Sequence, residues 1–275
     1  MNPKKIKATA IVSLLLLPLV VWLGIVVYKR FFIKNESFDF SNTAALQSTC
    51  TEVGTQDPGF FSSDHRKLAV VVCRGVELLK KEMTFLRTLR QESDENAIKA
   101  ARQEAEALLA HLTESRKILE KVDLSQKAFV IALGNWELDL DGDGKIDDFE
   151  KHFFWLPKPG IKIPRRPWDE TERLNYYQSY FQKVQIKIDA ADVDWALAYL
   201  NLGEMILNTA LGYDLRMKSI IPIITLKDSK RVNQAYQHAL EAVAYSKKMR
   251  ASIQKETSDE LEWIPNPRQK NTAFP

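Results

Sequence analysis

The chain reads as all-α: an N-terminal transmembrane helix followed by a multi-helix bundle. Three observations predict that class. Residues 8–28 form an apolar run without a charge. Through most of the remaining chain, apolar side chains recur every three to four positions, the spacing of one helix face. Alternating strand patterns are nearly absent, and Ile220–Leu226 is the one β-branched run. With 275 residues, 45% hydrophobic and 27% charged, the chain has room for one or two domains and a sizeable core.

Ala8 to Tyr28 reads ATAIVSLLLLPLVVWLGIVVY. As a helix these residues extend about 32 Å, enough to cross a bilayer's hydrocarbon core. A cleaved signal peptide has a shorter apolar region and a small-residue cleavage site. Here Lys29-Arg30 follows directly and no A-x-A site is present, so the segment reads as an uncleaved anchor. Lys4, Lys5 and Lys7 precede it without an acid, whereas Glu36 and Asp39 dilute the far side. The expectation is a single-pass protein of a bacterial inner membrane, with residues 1–7 as a cytoplasmic tail and the domain in the periplasm. The net charge of +3 comes from this end, since six of the 39 bases lie before residue 35. The remainder, 33 bases against 36 acids, lacks the basic stripe of a nucleic-acid-binding protein.

Residues 29–62 show no period and read as a tether, with Asp57-Pro58-Gly59 as a turn. Ser63-Asp64 suits the start of a helix carrying Leu68, Val72, Leu79, Met83 and Leu86 on one side. Ser93 caps a second helix to about Val122. Its stripe, Ile98, Ala101, Ala105, Leu108, Leu112, Ser115, Leu119 and Val122, steps alternately by three and four, as in a heptad seam. The short polar link around Arg90–Ser93 makes the two an antiparallel hairpin. A third helix is expected from Ser125 to Leu138. Hairpin and acidic loop together span residues 63–156. Pro157, Pro159, Pro164 and Pro167 then exclude helix from a connector at 157–168.

Helical spacing returns from Trp168 to Tyr213 with a break near Asp189, and again from Asp228 to Lys255, giving a second helical subdomain at 169–256. The helix holding Trp195, Tyr199, Leu202, Ile206 and Leu211 is apolar around much of its girth, which predicts a central helix covered by neighbours. Within it, Tyr199-Leu-Asn-Leu-Gly203 resembles the spacing of a tetratricopeptide repeat, without a second copy about 34 residues away. Residues 257–275, with Pro265 and Pro267, form an extended tail. Cys50 and Cys73 are either a disulfide between the tether and the first long helix or two separate thiols.

The segment Asp139-Leu-Asp-Gly-Asp-Gly-Lys-Ile-Asp-Asp-Phe-Glu150 resembles the EF-hand calcium loop of calmodulin-like and dockerin modules. Twelve residues carry that resemblance. A hard cation such as Ca2+ takes six to eight oxygens at about 2.3–2.6 Å. The resemblance implies side-chain ligands from Asp139, Asp141 and Asp143, the Lys145 carbonyl, Asp147 directly or through water, and both oxygens of Glu150. It makes Gly144 the sharp turn and Ile146 the anchor to the core. Six carboxylates in twelve residues also repel one another strongly without a cation. No second loop is present, so a structural ion is expected rather than a paired sensor.

The signatures G-x-x-x-x-G-K-[ST], G-x-S-x-G and H-E-x-x-H are absent. Some peptidoglycan-cleaving transglycosylases are helical and carry an EF-hand-like loop, so a cell-envelope enzyme of that kind is the alternative. It needs a general acid, typically in a Glu-Ser context. Glu36-Ser37 falls in the tether and Glu114-Ser115 in a helix seam. The sequence therefore favours a calcium-binding interaction or scaffold module over an enzyme, with an envelope protein as partner. Phe153, Phe154, Trp155 and Trp168 are either a partner surface or core.

Overall fold

The structure, a computed structural model, describes residues 36–59, 62–89, 94–124, 129–155, 170–218, 221–257 and 261–262. Seven α-helices dominate these residues: α1 (Thr43–Val53), α2 (Asp64–Leu89), α3 (Asp94–Leu119), α4 (Asp148–His152), α5 (Glu170–Phe181), α6 (Ala190–Gly212) and α7 (Ser229–Ile253). The all-α expectation needs correction, because two small antiparallel sheets are present. Strand β1 (Phe129–Ile131) pairs with β2 (Ile186–Ile188), Val130 opposite Lys187. Strand β3 (Tyr213–Lys218) pairs with β4 (Ile221–Leu226), Tyr213 opposite Leu226.

The expectation of a single-pass inner-membrane protein with a periplasmic domain is also corrected. Among the described residues no helix is long and apolar enough to cross a membrane. The segment 8–28, on which that expectation rested, lies outside them, as do the 157–168 connector with Trp168 and the tail from residue 263.

The region read as a featureless tether holds α1. Asn42 starts it, its side chain accepting from the Ala45 amide at 3.0 Å, and Gly54 at φ 65° ends it. Cys50 and Cys73 form a disulfide that joins α1 to α2, which settles the open alternative. Ser63 caps α2, as its Oγ accepts from the Arg66 amide at 3.1 Å. Asp189 caps α6 in a reciprocal box with Asp192, and Asp228 caps α7 through the Lys230 and Arg231 amides. Each is a short polar side chain satisfying amides that the first helical turn leaves open.

Helix α2 packs on α3, α3 on α6, and α6 on α7. Gly203 brings α3 and α6 close, because a Cβ there would stand 2.8 Å from Cδ1 of Leu112. A core of Phe40, Leu46, Leu68, Trp136, Leu138, Ile186 and Leu197 joins the chain's early and late elements. Trp136 donates its Nε1–H to the Phe40 carbonyl at 3.0 Å. The β1–β2 pair and the α3–α6 contact both cross from one side of the 157–168 connector to the other. Phe153 and Phe154 pack against the core.

Candidate metal centre

The third helix expected over Ser125–Leu138 is absent from the described residues of that stretch, 129–138. Described residues of that stretch form β1, a single 3-10 turn (Leu133–Asn135) and extended chain. Alternation replaces helical spacing: Trp136, Leu138 and Leu140 are buried at 3%, 2% and 0% exposure. An extended chain sends successive side chains to opposite sides. Burying the apolar set therefore turns Asp139 and Asp141 outward together, and the loop carries Asp143 to join them.

Oxygens of Asp139, Asp141 and Asp143 lie within 4.8 Å of one another. Backbone amides hold each carboxylate. Asp139 accepts from Gly142 N at 2.7 Å and Gly144 N at 2.9 Å. Asp141 accepts from Asp143 N at 3.1 Å, and Asp143 from Lys145 N at 2.8 Å. These turns need the left-handed backbone of Gly142 (φ 72°) and Gly144 (φ 84°), which only glycine adopts without strain. The loop leans on α2, where Thr84 donates its hydroxyl to the Asp141 carbonyl at 3.1 Å and Arg87 Nη1 stands 3.5 Å from Asp141 Oδ2.

Asp147 and Glu150 do different work. Asp147 caps α4, its Oδ1 accepting from Glu150 N at 2.9 Å. Glu150 is 4% exposed and turned onto the loop's own backbone. Its Oε1 accepts from Leu140 N at 2.6 Å and Asp141 N at 3.2 Å, and its Oε2 accepts from Asp147 N at 3.0 Å. Three aspartates thus suit a hard cation as they stand, whereas Glu150 ties the two ends of the loop together. Ile146 is 38% exposed and does not anchor the loop.

A second acidic group went unseen in the sequence. Asp189, Asp192 and Glu262 converge within 4.8 Å, with Lys187 paired to Glu262. Burial pushes Asp192 up to about 7, with the charges of Asp189 and Glu262 adding to the rise and the Asp189 amide opposing it. Glu256 is also pushed up to about 7, first by burial and then by Asp189 and Glu262. The only sequence signal was the capping pair Asp189/Asp192; Glu256 and Glu262 arrive by tertiary folding.

Both Glu-Ser pairs considered for catalysis sit in structural networks. Glu36 accepts from Arg66 and Ser63, and the Arg66 hydrogen bond holds its carboxyl below the ordinary range. Ser115 and Glu114 accept from Arg74 at 3.1 and 2.7 Å. Of the histidines, His238 bonds through Nδ1 to Asn201 and Glu204, and His65 Nδ1 lies 2.9 Å from the Glu36 carbonyl. No family model matches the chain, and no curated protein or solved structure does.

Proposed function

We propose that the chain is a calcium-binding protein, with one ion held by the 139–150 loop in a helical interaction or scaffold module. The convergence of Asp139, Asp141 and Asp143 on amide-held turns carries this reading. Carboxylates this close repel by about 1–3 kcal/mol per pair at effective dielectrics between water and a protein surface. A divalent cation turns that cost into attraction, and the preset turns spare the entropy of gathering the ligands. The Lys145 carbonyl and water complete the shell. Glu150 joins it only by exchanging its backbone bonds for the ion. Aspartate and carbonyl oxygens suit Ca2+ over metals that select imidazole or thiolate.

The enzyme reading has less beneath it. Asp192 and Glu256 have the raised proton affinity of a general acid, yet they line a crevice of about 10 Å³, room for one water.

Titration calorimetry of the chelator-treated chain tests the proposal. One Ca2+ site is expected, lost in Asp139→Ala, with binding far weaker for Mg2+. At a hundredfold excess over Kd, calcium adds about 2.7 kcal/mol to stability, roughly 5–10 °C in Tm for a chain of this size. Absence of heat and of any Tm shift at millimolar calcium would refute it.

A further inference from the structure

Helix α6 is apolar on both faces, and its buried side mixes Val193, Leu197 and Leu211 with polar side chains. Asn201, Glu204 and Asn208 on its inner face are 0%, 0% and 4% exposed, while Trp195, Tyr199, Leu202 and Ile206 on its outer face are 39–57% exposed. The outer residues follow the i, i+4, i+7, i+11 spacing of a packed stripe. Helix α7 carries a matching one, Tyr236, Leu240 and Val243, at 49–62% exposure.

The two stripes form one surface. His238 Nδ1 lies 3.0 Å from Asn201 Oδ1 and 2.9 Å from Glu204 Oε2, and Lys248 Nζ lies 3.1 Å from Asp194 Oδ1. These contacts set α6 and α7 antiparallel, with residues 195–206 level with 236–243. At 3.6 residues per turn, the α6 stripe centres about 130° round from Asn201, and the α7 stripe about 110° round from the midpoint of His238 and Val232, the latter standing against Gly212. The helices run oppositely, so similar offsets bring both stripes to the same side. That side faces away from α3, which meets the pair through Leu112 against Gly203 and Glu106 on Arg231.

We infer that this face docks on the same face of a second copy of the chain. Taking about 150–250 Å² for a large side chain, the seven residues expose roughly 500–900 Å² of largely apolar surface. A monomer's largest such patch is about 300–600 Å², and a standard interface uses about 800 Å² per partner. The central patch plus a polar rim reaches that size. The seven residues carry no charge, and Lys247, next along the α7 stripe, lies two turns beyond Leu240, so a two-fold axis near Leu240 keeps the two copies of this cation apart. Two antiparallel pairs meeting this way complete a four-helix arrangement, the ordinary means of burying such stripes. A homodimer also gives the scaffold two copies of the 139–150 loop.

Light scattering on the full chain tests this inference, which stands apart from calcium binding because its variants leave that loop intact. The wild type is expected at twice 31.6 kDa, and Leu202→Glu and Leu240→Glu at the monomer mass with unchanged helical circular dichroism. Leu240→Cys, near the axis, should cross-link to its own copy on oxidation, while the exposed control Gln234→Cys, about 120° round α7 from Leu240, should not. A monomeric wild type overturns the inference, whether its amides on this face exchange freely or are protected by another segment of the chain. So does a dimer that survives both Glu variants, or a Leu240→Cys chain that cross-links no faster than the control.

Discussion

Replacing Glu150 with Gln tests what this side chain does, and its effect can be worked out from the geometry. One carboxylate oxygen serves the Leu140 and Asp141 amides, and the other serves the Asp147 amide. Gln keeps one oxygen, best placed where two amides meet, and then sets its NH2 against the Asp147 N–H. A bond to a charged acceptor is worth about 1.5–3 kcal/mol, and two facing donors in a site 4% exposed add a desolvation cost. The calcium-free variant should therefore lose about 2–3 kcal/mol, which at 2–4 °C per kcal/mol lowers Tm by roughly 4–12 °C. Thermal melts in chelator, followed by circular dichroism, measure it. A change below about 1 °C would show that Glu150 does not brace the ion-free loop. If Glu150 also turns to the ion, calcium will widen the gap between wild type and variant; if it stays on the backbone, the gap will remain.

Asp192 makes stability fall as pH rises. Its folded pKa, about 7, lies above its ordinary value near 4, and Glu256 is raised alike, so the folded state holds extra protons across that window; Tm should be higher at pH 6 than at pH 8, and Asp192→Asn, which keeps an oxygen for the Asp189 amide, should raise Tm at pH 8 and reduce the difference to the share of Glu256. The Cys50–Cys73 bridge closes a loop of 23 residues, so reduction, or a Cys50→Ser/Cys73→Ser pair, should cost about 3–4 kcal/mol in a reversible denaturant titration.

The long helices were legible because their cores lie on one face and their ends carry local caps. Asp189 and Asp228 mark the starts of α6 and α7 in sequence and structure alike. Residues 125–138 were not legible as extended chain, because Phe129–Ile131 finds its partner at Ile186–Ile188, beyond any local window. Even so, the alternation of Trp136, Leu138 and Leu140 with acidic neighbours was a strand signal, overridden by apolar content. The aspartate spacing located the candidate site, but the motif position of Glu150 could not reveal that its oxygens are engaged by Leu140, Asp141 and Asp147. For α6, an all-round apolar sequence implied cover on every side. The described residues cover only the inner face, where Val193, Leu197 and Leu211 share the burial with Asn201, Glu204 and Asn208.

Those inner side chains bear on how the bundle holds its register. Glu204 is wholly buried and takes Arg116 at 2.9 Å from α3 and His238 at 2.9 Å from α7. Desolvating such a group offsets much of its attraction, so a network of this kind adds little net stability over apolar packing. It does penalise slippage, because shifting either neighbour by one turn strands a buried carboxylate. The same logic applies around α2. The disulfide fixes Cys73 to α1, while Thr84 and Arg87, about three and four turns further on, hold the Asp141 end of the loop. Arg87 is a weak counter-ion, half exposed and 3.5 Å away, that eases aspartate repulsion when no cation is bound. A cation taking Asp141 would displace that pairing while leaving the Thr84 bond to the backbone intact. Loop and bundle would then stay joined through a contact that does not depend on charge, which is what a structural ion requires of its scaffold.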